Sequence, residues 1–293
     1  MRSTTGQIDL EQQTQKNCIR VAVVAEHRYL SHAQPQGMME ALAAAGHSVL
    51  LIDPEEHAFE AGETAWMKEV DVAVARGRSW SVLCLLKWLE RQSVPVINSR
   101  AAIAAVHNKA EMTVALASAG IPMPRTFIGP LSQIAKQLTA IDFPVIVKPV
   151  FGDNCRGLRV LETREQLPAL DCDEPFAIVQ SFVPGLTHDL KLYCIGREVW
   201  AVRKASPLAA GSFAGSARQE PQLVPLQPVW RNLALSCGRV FGLDLFGVDC
   251  IETDDGPLVI EVNEFPNYSA VPGADEKLSN HVLSFGRQER QVS

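Results

Sequence analysis

The sequence has no apolar run long enough to cross a bilayer, which excludes a transmembrane helix. It has no C-x-x-C pair: seven cysteines lie scattered at 18, 84, 155, 172, 194, 237 and 250. Their spacing argues against zinc, and their odd number against a disulfide framework. Reduced cysteines used for packing, in a cytoplasmic protein, are the expectation. Positive charge is in deficit, with 27 Lys and Arg against 33 Asp and Glu, a net −6. That argues against general nucleic-acid affinity. The first residues, Met1 to Lys16, lack an apolar segment and are polar and glutamine-rich. They are not a secretory signal, and 1–17 reads as a disordered leader. No G-x-G-x-x-G follows the first strand candidate, which argues against a dinucleotide site there.

What is present is an ordinary globular composition: 293 residues, 47% apolar and 20% charged, enough for two or three domains. Ile19 to Ala25, Ser48 to Asp53, Val70 to Ala75 and Val94 to Asn98 are short β-branched runs. Helical stretches alternate with them, notably Gln36 to Ala45 and Trp80 to Arg91. Strands alternating with helices predict βαβ units and a parallel sheet over residues 18–98.

The pattern then changes. Arg100 to Gly120 reads as one helix and Leu131 to Ala140 as another. Phe143 to Lys148 is an apolar strand ending in a lysine, followed by a glycine-bearing loop, Gly152 to Gly157, and a returning strand from Arg159. Phe176 to Phe182 is a short apolar segment. Leu190 to Cys194 and Glu198 to Val202 flank Gly196 as a hairpin. Pro207 to Pro228 reads as a long loop of the kind that forms lids. Trp230 to Phe241 and Asp275 to Phe285 read as helices, and 286–293 as a polar tail.

The chemistry concentrates in Phe246-Gly-Val-Asp-Cys-Ile-Glu-Thr-Asp-Asp-Gly-Pro-Leu-Val-Ile-Glu-Val-Asn263, a hairpin with its turn at Asp254-Asp255-Gly256. With that turn as pivot, Asp249 falls opposite Glu261, and Asn263 shares Glu261's face. Two carboxylates facing each other repel. A divalent cation between them reverses the sign, and hard oxygen donors of this kind suit Mg²⁺. An acidic edge hairpin fits the same pattern. The other candidates are weaker alone. Gly152 to Gly157 fits a phosphate cradle but also an ordinary turn, and lacks the Lys-Ser/Thr of a Walker loop. Lys148 fits a snorkelling strand end or a residue aimed at an anion. Lys109 and Lys191 fit solvated surfaces. Arg203-Lys204 fits a strand end or a phosphoryl clamp. Arg76-Gly-Arg78 fits an anion clamp or a solvated loop. Glu111 and Asp189 are candidates for ribose hydroxyls.

Taken in order, these pieces resemble the ATP-grasp superfamily over roughly residues 99–285. A lysine (Lys148) precedes a glycine loop (Gly152 to Gly157). An apolar hinge (Gln180, Ser181, Phe182, Val183) and a cationic strand lead to the Asp249…Glu261-Val-Asn263 hairpin. Within it the chain is similar to RimK-type carboxylate–amine ligases, which add glutamate or another amino acid to a carboxylate. Ser181 departs from the acidic hinge residue those ligases often carry. It also resembles the inositol-phosphate kinases of the same superfamily.

The resemblance implies an α/β ATP-grasp fold. Its parts would be the N-terminal βαβ domain (18–98) and an ATP-grasp domain (99–285), with a central lid subdomain at about 122–180 and a C-terminal subdomain at 181–285. It implies ATP as cosubstrate and Mg²⁺ or Mn²⁺, two ions, on Asp249, Glu261 and Asn263. Lys109, Lys148, Gly152, Gly157, Asp189, Lys191 and the hinge would hold the nucleotide, and Arg203 and Lys191 would act on the developing charge. The implied reaction is amide formation through an acyl phosphate. The alternative is phosphoryl transfer to a hydroxyl, and a degenerate ATP-binding scaffold is a third reading. The partners would be small-molecule or peptide carboxylates and amines, without nucleic acid or membrane, and a homo-oligomer is compatible by analogy.

Overall fold

The computed structural model describes residues 18–152, 157–169, 176–183, 188–206 and 220–292. The expected leader, 153–156 of the glycine loop and 207–219 of the long loop lie outside them. The described chain forms two compact units, one of residues up to Arg100 and from Asn267 onward, the other Ala101–Pro266.

The first unit is built on β1 (Arg20–Ala25), β2 (Ser48–Ile52), β3 (Val72–Arg76) and β4 (Val96–Ile97), all parallel in the order β2-β1-β3-β4. The central strands β1 and β3 are buried almost throughout, as their unbroken apolar runs require of a sheet covered on both faces. Between strands lie α1 (Ala33–Ala44) and α2 (Trp80–Arg91). Ser79 caps α2, its hydroxyl accepting from Val82 N, and Val82, Leu83, Leu85, Leu86 and Leu89 form its buried stripe. The expected βαβ organisation is present.

The second unit starts with α3 (Arg100–His107) and α4 (Lys109–Ser118), where one continuous helix was expected. Asn108 divides them. Its Oδ1 accepts from Ala110 N and Glu111 N, and its Nδ2 donates to Glu111 Oε1. This is a cap with its reciprocal acid, so Glu111 serves the helix start. Two antiparallel sheets follow. The smaller has the order β5-β8-β6-β7, from β5 (Thr126–Gly129), β6 (Val145–Lys148), β7 (Arg159–Leu161) and β8 (Ala177–Ser181), with α5 (Leu131–Gln137) packed on it. The larger has the order β11-β10-β9-β12-β13: β9 (His188–Ile195), β10 (Glu198–Ala205), β11 (Gln222–Val224), β12 (Leu245–Thr253) and β13 (Gly256–Glu264). Before β12 comes α6 (Pro228–Phe241), closed by Gly242. The region expected as one loop from 207 to 228 therefore contains a strand, β11.

Alternation decides what each face of the larger sheet does. Leu190, Leu192 and Cys194 of β9, Phe246, Val248 and Cys250 of β12, and Val259 and Val262 of β13 join one core with Met112 and Leu116 of α4 and Trp230, Leu233 and Phe241 of α6. Each large apolar side chain buried there is worth about 1.5–3 kcal/mol. Cys194, Cys237 and Cys250 pack as expected, whereas Cys84 is exposed: burial pushes the Cys237 thiol up to about 12 and also raises those of Cys194 and Cys250. The intervening residues, Asp189, Lys191, Asp249, Glu261 and Asn263, are left to the other face.

The last helix, α7 (Ala274–Val292), corrects two expectations. It continues past Phe285 where a polar tail was expected. It also belongs to the first unit, packing on α1 and β3, although the family resemblance placed 267–285 in the ATP-grasp domain. Leu278, Val282 and Leu283 supply its buried stripe, and Asp275 accepts from Gln34 at 2.9 Å.

Candidate active site

The β12–β13 hairpin brings Asp249 directly opposite Glu261, with Gly247 opposite Asn263. The register arises differently from the expected pivot. The turn is two residues, Asp254-Asp255, with Thr253 opposite Gly256, whose φ of 115° takes the positive-φ backbone a tight turn needs. Carried down the ladder, that pairing would set Asp249 opposite Ile260. A bulge at Ile260 adds one residue to β13 and moves Glu261 into place.

The two carboxylates do not face each other bare. Lys191, the register partner of Asp249 on β9, puts its Nζ 2.9 Å from Asp249 Oδ1, and Asn263 Nδ2 donates to Asp249 Oδ2 at 2.9 Å. Glu261 takes the ammonium of Lys109 at the start of α4. Burial works against the Lys191 ammonium, yet Asp249, Tyr193 and Glu261 together push its pKa up to about 12. Asp189, two residues before Lys191, has its carboxyl raised, by burial first and by the nearby Asp249, against a hydrogen bond to Ser206.

On the smaller sheet, Lys148 ends β6 and donates to Gln180 Oε1 at 2.6 Å; Gln180 Nε2 donates to Thr126 Oγ1 at 3.0 Å. Gln180 is thus buried beneath Lys148. The N–H of Ser181 is spent on Arg125 O and that of Phe182 on Pro144 O. Lys109 N donates to Val150 O at 3.1 Å, which ties the Lys109–Glu261 pair to the segment entering Gly152. Gly157, at the far end of that loop, has a φ of 76°. Lys109, Lys191, Asp249, Glu261 and Asn263 form one connected set, and Lys148 and Gln180 a second.

Arg203 is not brought to either. It pairs with Leu190 in register, on the helix-covered face of the larger sheet, and forms a two-point ion pair with Glu252 at 2.8 and 3.0 Å. Its neighbour Lys204, opposite Asp189, is the β10 cation on the Asp249 face. Strand alternation counted from the hairpin around Gly196 carries that distinction.

Two carboxylates and an amide on one sheet face, each carboxylate already drawing an ammonium, form a donor set that fits a hard divalent cation. Solved structures with the ATP-grasp fold match the chain over most of its length. The RimK domain protein ATP-grasp from Sphaerobacter thermophilus DSM 20745 superposes with a TM-score of 0.72 at 21% identity, covering 91% of this chain and 98% of that one. The ATP-grasp ligase PsnB, complexed with minimal precursor, Mg and ADP, gives 0.67 at 18% identity, covering 91% and 97%. A probable alpha-L-glutamate ligase from Aliivibrio salmonicida (strain LFI1238) is 27% identical over 263 residues, 82% of this chain and 86% of that one. The sequence model of the RimK-like ATP-grasp domain matches residues 106–275. The chain belongs to the RimK-like ATP-grasp family, and with it to the ATP-grasp ligases, which form carbon–nitrogen bonds. No helix among the described residues is long and apolar enough to cross a membrane.

Proposed function

We propose that the protein joins an amino acid, glutamate by analogy with its relatives, to a carboxylate acceptor at the expense of ATP. The observation that carries this reading is the Asp249–Glu261 pair with a lysine on each carboxylate. Asp249, Glu261 and Asn263 would hold divalent cations, two by the family resemblance. Bound there with nucleotide, Mg²⁺ would neutralise phosphate charge. Lys109 and Lys191 then exchange their carboxylate partners for phosphate oxygens. Lys148, fixed by Gln180, contributes a third ammonium. The hinge residues 180–183 meet adenine through backbone groups other than the N–H of Ser181 and of Phe182, Asp189 offers a carboxylate to ribose, and the Gly152–Gly157 loop N–H groups to phosphate.

In this reading an acceptor carboxylate oxygen attacks the γ-phosphorus and ADP leaves. The amine of the amino acid then attacks the acyl carbon and inorganic phosphate leaves. Cations on the Asp249 face stabilise the charge developing in both steps. Lys204 takes the place on this face that the sequence suggested for Arg203.

The test is mass spectrometry of purified protein with ATP, Mg²⁺, L-glutamate and a panel of carboxylates. A product heavier by glutamate minus water, with ADP and phosphate in equal amounts, is expected. A product heavier by one phosphate group would replace ligation with kinase activity.

A further inference from the structure

The Arg76-Gly-Arg78 segment plays no part in the chemistry above, yet it is the most basic feature of the first unit's sheet. The strand order β2-β1-β3-β4 reverses direction between β1 and β3. In open parallel sheets the crevice at the carboxyl ends of the two strands flanking such a reversal is where ligands bind. The residues at those ends are Glu26, Arg28 and Tyr29 after β1, and Arg76 and Arg78 at and after β3. That is three guanidinium groups and one carboxylate. The acids of this edge, Asp53 and Glu56, lie beyond β1 on the β2 side, with His27 bonded to Asp53 at 2.8 Å.

The arginines are built in. Arg76 is 6% exposed and Arg78 9%. The Arg76 guanidinium lies 3.8 Å from the centroid of the Tyr29 ring and that of Arg28 4.7 Å. Glu26 organises the loop: it accepts from the backbone N–H of Arg78 and of Ser79 (2.7 Å) and from Arg28 Nε. Gly77 permits this, with a φ of 142° and a position where a Cβ would come within 2.6 Å of the Glu26 side chain. Two buried guanidinium groups, carried on either side of Gly77, supply the planar donors suited to an oxyanion.

We propose that the carboxyl edge of this sheet, between β1 and β3, is an oxyanion site that takes a carboxylate group of a substrate. The assignment to a substrate rests on the ligase reading; the anion site itself does not.

The probes are glutarate, its neutral counterpart glutaramide, and inorganic phosphate, added to the full chain at matched ionic strength while the melting temperature is followed. Glutarate is expected to raise it and glutaramide to leave it unchanged. Arg76→Gln and Arg78→Gln are expected to lose the glutarate response while keeping that to Mg-ATP. Should either fail to fold, Arg76→Lys and Arg78→Lys keep the charge but not the fork, and a weakened glutarate response is expected. An unchanged response in folded variants overturns the site, as does no response in the wild type. A response to phosphate alone overturns the carboxylate assignment. In turnover, Arg78→Gln is expected to raise the KM of a carboxylate substrate about tenfold, the loss of one charge-assisted contact, with the KM of ATP unchanged. Turnover with wild-type KM values and no glutarate response defeats the oxyanion site and leaves the ligase reading intact. A glutarate response without turnover does the reverse.

Discussion

Lys191 and Asp249 are register partners on neighbouring strands, and their charged ends meet at 2.9 Å. With the Lys109–Glu261 pair beside them, β9 and α4 each bring a cation to one of the two hairpin carboxylates assigned to metal. The predictions below turn on what happens when these pairs, and those that support them, are altered.

Glu261→Gln removes a carboxylate without changing its shape. Turnover is expected to fall by about 100-fold or more. Because the Glu261–Lys109 pair is partly exposed, the fold should lose no more than about 1 kcal/mol. ADP release and thermal melting measure the two effects separately, and the Mg-ATP stabilisation expected of the wild type should vanish. Activity near wild type would remove Glu261 from the metal site.

Gln180→Leu leaves Lys148 without its 2.6 Å acceptor. The expected result is a rise of about tenfold in the KM of ATP, the loss of one hydrogen bond to a charged group. Gln180→Glu restores an acceptor and should restore the KM. Steady-state kinetics at varied ATP decide it.

Arg203→Gln and Lys204→Gln separate the two faces of the larger sheet. Arg203 holds Glu252 in a half-exposed pair, so its replacement should cost about 1 kcal/mol or less and little activity. Lys204→Gln should reduce kcat by about tenfold or more. A large loss at Arg203 with none at Lys204 would reverse the assignment.

Glu26 supplies a pH dependence. Burial favours its neutral form, but hydrogen bonds from Ser79 and Arg78 and the charge of Arg28 hold its carboxyl below the ordinary 4.5. A depressed folded pKa adds stability that is complete above the unfolded value and is lost as the pH falls through the folded one. Glu26→Gln should therefore be less stable than wild type by about 2 kcal/mol at pH 7, with the gap closing below about pH 4.5. Denaturant titrations at pH 7 and pH 4 measure it; a gap that widens in acid would show the opposite sign.

The βαβ start and the ATP-grasp character were legible because they rest on periodicity and on residue types in order. Face and register were harder. The sequence pivot put Asp249 opposite Glu261 by assuming a three-residue turn; the molecule reaches the same pairing through a two-residue turn and a bulge at Ile260. Nothing in the local pattern announces that bulge. Arg203 and Lys204 are adjacent cations, and only strand alternation says which one looks toward Asp249. Asn108 was readable in principle, since Asn-Lys-Ala-Glu111 is a helix start, but the apolar run on either side of it masked the break. The place of α7 was not readable, because which distant sheet a helix covers is a tertiary choice.

That helix carries one more consequence. The second unit is a single stretch, Ala101–Pro266, whereas the first is assembled from both sides of it. A chain made from its N-terminus completes the second unit before the strip that covers β3 and α1 has been synthesised. The first segment to be made is the last to be finished. Shortening the chain within α7 should therefore expose the sheet that was built first and leave the Asp249–Glu261 hairpin whole.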